Sequence, residues 1–571
     1  MPSIGTISQY TLSSGPSITV VNPNLARLAQ ALTADPIVFL EITARENNVT
    51  ETTDVINDPP GTYLLPLSGG VLSAQDLPRV IRKRLKYLFS SRPWIGLPTD
   101  VSRPNQRSIP RLLNGGRITR TIPIEATNRR RGQRIIGDAS IANADGAYDF
   151  LLTENTLEGG EIAAWLATPG SSSSEWALIY QATISSVEAT RSEIRFSITT
   201  IADELDRALQ LRQYTGSGGT AGDAAVKGRL KPIALGEIFG ANPILINTAD
   251  RVYAVHDGPI QSIDWVREGG LDYTFTADYP DYETLAAATL ASGEYATCLA
   301  EGIFRIGTTL AGLVYPLRVG LQGDRSGNGY VNDTGEILYR LASSRAFVSP
   351  NNLDLAAFQG LPAQAVGYYF DGSTNIRVSD VFNALLGGVV GYYGVGRGNQ
   401  ITVGQVLPAS FQTNAATVRE EQIITDRVEA RPDELRISQP YTYAPTWAPL
   451  TPEQISPSAN ADVAQRLQEP YQSDEAFQES DLAIKPKQNP VLNTFFAEQS
   501  PAEQSAEDAL LIASQSNLPV RADIGRLGLQ VDIGQVIGIE SDRWGADYRG
   551  VIYEQEDDLG AVVNTRVTAI G

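Results

Sequence analysis

The sequence predicts a mainly β protein of several domains, with α+β parts and few short helices. Three observations carry this. Apolar and polar residues alternate over short runs, the period of a half-buried strand. Charged residues make up only 19%, while Gly (51), Pro (33) and Tyr (23) are plentiful. That balance favours strands joined by tight turns over helical bundles. The 571 residues, at roughly 100–200 per domain, correspond to about three to five domains, which bury cores without covalent staples.

In chain order, residues 1–40 are expected as an N-terminal arm with one helix at Asn24–Leu32. Residues 41–215 form one or two β-rich domains. Alternation marks strands at Ile37–Thr43, Thr119–Ile124, Ala177–Ile184, Ile194–Ile198 and Thr199–Ile201, punctuated by turns at Asn114–Gly116, Gly159–Gly160 and Ser171–Ser174. Helical spacing appears at Gln75–Leu88 and Ile201–Leu211. The run Gly216–Gly222 (GSGGTAG) makes 216–230 a flexible linker by composition.

A central domain follows over 231–345, with strands at Val252–Val255, Tyr273–Thr276 and Ile303–Gly307 and a helix at Tyr282–Leu290. An α+β domain occupies 346–431. Helices at Glu336–Ala342 and Val378–Leu386 bracket Val366–Tyr369, and Val389–Val395 pairs with Gln400–Val406. From 432 to 501, Pro, Gln, Ser and Glu dominate, with Tyr441, Tyr443 and Trp447 interspersed, which reads as an extended arm. Residues 502–571 give a helix at Ala502–Ser514 and strands at Leu527–Val531, Val536–Ile539, Gly550–Tyr553 and Val562–Ile570. No internal repeat argues for a propeller, solenoid or β-helix.

The net charge of −20 hides an asymmetry. Between Arg79 and Arg134 stand fifteen Lys or Arg against Asp100 and Glu125, leaving +13 in that stretch and −33 elsewhere. Such a band either pairs with acidic neighbours in the same chain or docks an acidic partner. As a docking face it is expected to be a subunit interface centred on Arg82, Lys83, Arg84, Lys86, Arg129, Arg130, Arg131 and Arg134. No DNA-reading motif accompanies it. Met1–Pro16 lacks a basic start followed by an apolar run, and the longest apolar stretch, Leu385–Val395, is too short and Gly-rich to span a bilayer. No membrane span and synthesis in a reducing cytoplasm are expected.

Counting also removes chemistry. With one Cys and one His, intrachain disulfides, multi-Cys zinc patterns and two-His metal sites are excluded. Five constellations remain, and each has a structural explanation. Asp324–Asp333 places oxygen donors like a calcium loop but has Gly335 where a bidentate Glu belongs. Asp333 capping the following helix, with Glu336 reaching back, accounts for it better. Gly394–Gly398 fits a hairpin turn, since its spacing matches no phosphate loop. Cys298 lies in an apolar run that predicts a buried thiol. His256, before Asp257-Gly-Pro259, is expected to brace that turn. Asp145 and Asp149 invite a glycan-hydrolase reading, but Asn-x-Asp-Gly is a strong turn sequence. No cofactor site and no catalytic set emerges, so the chain is read as a non-enzyme.

Several segments together resemble a known family. Lys231-Pro-Ile-Ala-Leu-Gly-Glu-Ile-Phe-Gly-Ala-Asn-Pro243 is followed by Leu245–Ala249, Val252–Ile260, Ile263–Gly269, Gly293–Thr297 and Gly302–Gly307. This order is similar to the central region of tail-tip or baseplate hub proteins of tailed bacteriophages and prophages. Ile136–Asp149, Tyr87–Trp94 and, faintly, Val531–Ile539 extend it. The resemblance implies a virion structural protein of β-barrel and β-sandwich domains, located at the tail tip or baseplate. It implies a homo-oligomeric ring, a trimer in preference to a hexamer, contacting tube and fibre proteins, with DNA only in transit. Two other classes compete. One is a tail-associated cell-wall glycan hydrolase; the other is a host-receptor or carbohydrate-binding protein using exposed Tyr and Trp.

Overall fold

A computed structural model describes residues 36–46, 84–123, 131–308, 315–327, 329–428, 434–477, 485–514, 519–541, 545–560 and 563–570. Among them the chain is mainly β, with several sheets and few short helices. The expected helix Asn24–Leu32 and the N-terminal arm up to residue 35 lie outside the described residues. No helix among the described residues is long and apolar enough to cross a membrane.

The N-terminal sheet runs in the order Arg84–Ser90, Ile37–Glu46, Glu161–Ala167, Ala177–Ala189, Glu193–Thr199, Ala139–Ala142 and Leu112–Asn114. It curls until its edges meet, because Ile109, just before the last strand, bridges Phe89 in the first. The barrel-like interior holds Leu40, Ile42, Phe89, Ile162, Tyr180 and Phe196, all buried. Each such side chain contributes about 1.5–3 kcal/mol relative to exposure. Leu88 points the other way, into a cluster where Phe39 stacks on Trp176 at 4.0 Å.

Two helices expected here are corrected. The described part of Gln75–Leu88 is strand, registered Phe39↔Ser90 through Arg45↔Arg84. Tyr87 and Phe89 on one face and Leu88 on the other both find cores, so pairing overrides helical spacing. Of Ile201–Leu211 only Ile201–Asp206 turns, as a 3₁₀ helix. Beyond it the Leu209 N–H donates to Ile376 O and the Val378 N–H to Arg207 O, pairing the chain with the segment before the next helix. The linker expectation is corrected too. Gly216 and Gly218 donate to Ala221 O and Gly222 O, and Tyr214, 2% exposed, anchors the run against Ile244 and Ile246.

The central region is a sandwich. One sheet orders Leu271–Asp272, Ile260–Glu268, Leu317–Asp324, Ile233–Ala241 and Gly367–Phe370; the other orders Ile244–Asn247, Val252–Ala254, Ile303–Ile306, Glu294–Cys298 and Thr274–Asp278. Ile238, Val266 and Val319 of the first share a core with Tyr295, Phe304 and Ile306 of the second. A third core gathers helices Thr334–Ser344 and Val378–Gly388 around the hairpin Gly391–Val395/Ile401–Gln405, as expected.

Residues 434–501, read as an extended arm, fold back onto this third core. Strand Glu434–Tyr443 pairs with Gln472–Phe477, Lys485–Gln488 and Leu492–Asn493. Tyr441, Leu492 and Phe496 are buried beside Phe382 and Leu385, and helix Gln499–Ser514 closes over them through Ala502 and Ala506. The polar composition predicts an arm without a core of its own, but these few apolar residues are placed where the third core receives them.

The C-terminal sheet orders Asn414–Arg419, Val536–Ser541, Gly545–Asp558, Asn564–Ile570, Pro519–Asp523 and Thr425–Val428. The expected strand Leu527–Val531 is instead a 3₁₀ turn, Gly525–Gln530, that seats Leu529 in the N-terminal core. The long strand Gly545–Asp558 also pairs with Arg117–Thr121, registered Glu554↔Thr121 through Asp558↔Arg117. The C-terminal sheet thus takes in strands more than 400 residues apart in the chain.

Candidate functional site

The basic band meets its partners inside the chain. Glu41, on strand Ile37–Glu46, accepts Lys86 Nζ at 2.8 Å and also pairs with Arg103. Burial pushes the Glu41 carboxyl up, but hydrogen bonds from Lys86 and Arg103 outweigh it and leave it below its ordinary range. Arg111 grips Asp145 with two contacts of 2.6 Å, and Arg131 holds Asp203 at 2.6 Å and Asp206 at 3.0 Å.

The densest part lies where Arg117–Thr121 joins Gly545–Asp558. Arg117 pairs with Glu556, and Arg120, nearly fully buried, pairs with Asp532 and reaches Asp557 at 3.1 Å. Alternation explains the burial: Ile118 and Arg120 point inward while Arg117 points out. Asp557 is fully buried; Thr565 Oγ1 donates to it at 2.8 Å, Gln555 Nε2 at 3.2 Å, and Arg397 approaches at 3.5 Å. Two guanidinium groups thus share one buried carboxylate, which locks the N-terminal strand, the Gly394–Gly398 turn and the C-terminal sheet together.

Of the expected interface residues, Arg82, Lys83, Arg129 and Arg130 lie outside the described residues. Arg84 and Arg134 sit in strands Arg84–Ser90 and Gln133–Ile136, where only their backbone is described. Lys86 remains 62% exposed beyond its contact with Glu41. Pairing with acidic neighbours in the same chain holds for Lys86, Arg103, Arg111, Arg117, Arg120 and Arg131. Sequence reasoning did not find the partners Asp532, Glu556 and Asp557, which lie more than 400 residues away in the chain.

The other candidates are structural. His256 is buried, its Nδ1 accepting the Ala234 N–H at 3.0 Å while Nε2 faces Asp324 at 3.7 Å. It braces a strand of the sandwich, not the turn after it. Burial works to raise the Asp324 carboxyl, but His256 and the Ser326 N–H outweigh it and hold it well below its ordinary range. The first oxygen donor of the supposed cation loop is therefore committed to His256, Ser326 and Arg340. Asp333 caps the next helix, accepting the Glu336 N–H at 2.9 Å. Among the described residues no group of three or more His, Cys, Asp or Glu is arranged around a metal position.

Asp145 is held at a pKa of about 2 by Arg111, the opposite of what a glycosidic general acid needs. Asp149 accepts Asn143 Nδ2 at 2.7 Å within the same turn. Cys298 is buried, and burial pushes its thiol up to about 11, unsuited to nucleophilic attack. The Gly394–Gly398 run is a hairpin turn closed by the Gly396 N–H on Gln400 O at 2.8 Å.

No family model and no curated protein matches the chain. Among solved structures it is similar to a tail protein from Neisseria meningitidis MC58, at 9% identity over 81% of this chain and 95% of that one, with a TM-score of 0.35. It is similar to a chain of the native gene transfer agent virion at 11% identity, over 60% and 84%, with a TM-score of 0.40. It is also similar to a 43 kDa prophage tail protein from Shewanella oneidensis at 8% identity, over 80% and 93%, with a TM-score of 0.35. These values stop short of a shared overall fold and assign no residue a role.

Proposed function

We propose that the chain is a structural component of a phage or prophage tail, a hub that forms a ring around the tail axis and links tube to fibres or spike. One observation carries most of this reading. The six segments between Lys231 and Gly307 whose order resembles hub proteins are not scattered; they supply neighbouring strands of one sandwich around Ile238, Val266 and Phe304. A ring subunit needs large mixed-polarity faces and no reactive side chains. A host-attachment role at the tail tip belongs to the same proposal.

The mass of the purified protein in solution tests it. A trimer of 61.5 kDa chains is expected, a hexamer is compatible, and a monomer at every concentration counts against a ring. A tail reconstruction placing the chain away from the axis would refute the hub. The band residues Arg82, Lys83, Arg84, Lys86, Arg129, Arg130, Arg131 and Arg134 are the proposed subunit contact. Reversing Arg129–Arg131 to Glu is expected to block assembly. Arg131→Gln alone, which releases the bridges to Asp203 and Asp206 and removes one of the eight proposed contacts, is expected to leave it intact.

A further inference from the structure

Two cavities meet at Thr374, on the loop that follows strand Gly367–Phe370. The first, about 280 Å³, is lined by Asn242, Tyr368, Tyr369, Asp371 and Trp447 among others. The second, about 580 Å³, is lined by Gln213, Arg229, Ser373 and Asn375 among others. Together they form a groove with an aromatic end and a polar end.

The aromatic end is rigid. Trp447 packs edge-on to Tyr368 at 5.1 Å and stacks against Phe495 at 5.9 Å. Its backbone N–H donates to Phe239 O, tying the segment to strand Ile233–Ala241. Beneath lies Arg318, 7% exposed, whose guanidinium donates to Ala448 O, to Leu317 O and to Asn242 Oδ1 at 3.3 Å. It forms no ion pair among the described residues, and burial draws its pKa down to about 10. Holding Asn242 by its oxygen leaves the amide NH₂ as its polarised donor, and Asn242 lines the first cavity. The loop is equally fixed. Gly372 has φ +77°, and a Cβ there would lie 2.0 Å from Leu230 O; Arg229 Nη2 donates to Asp371 O at 2.9 Å.

Polar side chains line both cavities. Trp447 Nε1 and Arg229 Nε are buried and have no hydrogen-bond partner among the described residues. Asp371 adds a carboxylate whose Oδ1 accepts the Ser373 N–H at 2.9 Å and whose Oδ2 lies 4.0 Å from the nearest guanidinium nitrogen, and Thr374 and Asn375 stand exposed. Spaced donors and acceptors beside a flat aromatic face match vicinal hydroxyls on a pyranose, whose C–H face packs on an indole or phenol ring.

We propose that this groove is a saccharide-binding site, with Trp447 and Tyr368 as the platform. Asn242, Arg229 and Asp371 are the hydroxyl-reading groups. This goes beyond the hub reading and holds whether or not the chain assembles. The test is binding of the full-length protein to an array of bacterial cell-wall and surface oligosaccharides, with affinity for the best glycan measured by calorimetry. Asn242→Asp keeps the contact with Arg318 but removes the donor, and is expected to weaken binding about tenfold or more. Thr374→Trp, at an exposed position, fills the groove and is expected to abolish binding while the thermal transition stays unchanged. Three results would overturn the proposal: no glycan bound, binding that survives both substitutions, or a proline-rich decapeptide bound in place of any glycan.

Discussion

Asp557 illustrates how single residues act here. It is buried between Arg120 and Arg397 and accepts from Thr565 and Gln555. Replacing both charges of such a pair with apolar groups is often tolerated, but removing one strands the other. Asp557→Ala is therefore expected to destabilise the protein by about 3–5 kcal/mol, read as an earlier first transition in denaturant. The exposed bridges of Arg131 are each worth only about 0.2–1 kcal/mol, so Arg131→Gln is expected to barely move the same curve. Asp145 gives a pH prediction. Its folded pKa of about 2 lies below the ordinary 3.8, so the Arg111 contact contributes fully above 3.8 and is lost as pH falls through about 2. The carboxyl titration followed by NMR is expected to have its midpoint there, and Arg111→Ala to return it towards 3.8. At this scale the sequence was informative about roles. The turn at Asn143–Asp149, the cap at Asp333 and the inert Cys298 were legible because local chemistry decides them. The partner of His256 was not, since Ala234 lies on another strand.

Among elements, what was legible is what local pattern determines. The helices at Val378–Gly388 and Gln499–Ser514 and the hairpin Gly391–Val395/Ile401–Gln405 matched their spacing within a few residues. Three misreadings share one cause. Residues 84–88, 207–211 and 527–530 each carry a pattern compatible with two structures, and long-range pairing or a distant core selected the other one. The strand Gly545–Asp558 shows the reach of this effect. One edge serves both Val536–Ser541 and Arg117–Thr121, while Leu559 and Val563 pack into the N-terminal core. Deleting residues 519–571 is therefore expected to remove hydrogen-exchange protection from Arg117–Thr121 and Gln133–Ile136. Protection in the sandwich Ile233–Asp324 should be retained. Loss confined to the C-terminal sheet's own strands would contradict this.

For the whole molecule, composition and local pattern predict consecutive domains, whereas the described residues interleave them. The C-terminal sheet incorporates a strand from residue 117, and the segment 434–501 completes the core of helices Thr334–Ser344 and Val378–Gly388. Charge follows the same pattern. The basic band, expected as a subunit interface, is paired within the chain at Lys86, Arg103, Arg111, Arg117, Arg120 and Arg131. The buried contacts at Asp557 are poorly screened and those at Arg131 well screened. Raising salt is therefore expected to leave the main thermal transition nearly unchanged. If the undescribed part of the band makes the subunit contact, the oligomeric mass should fall instead. The sequence by itself determined the mainly β class, the scarcity of reactive side chains and most local turns, because period, composition and capping act over a few residues. Only the tertiary structure decided where the arm lies, which acids meet Arg120, and that Asn242, Asp371 and Trp447 line one cavity. Those outcomes depend on burial and pairing between residues hundreds of positions apart, which no local pattern encodes.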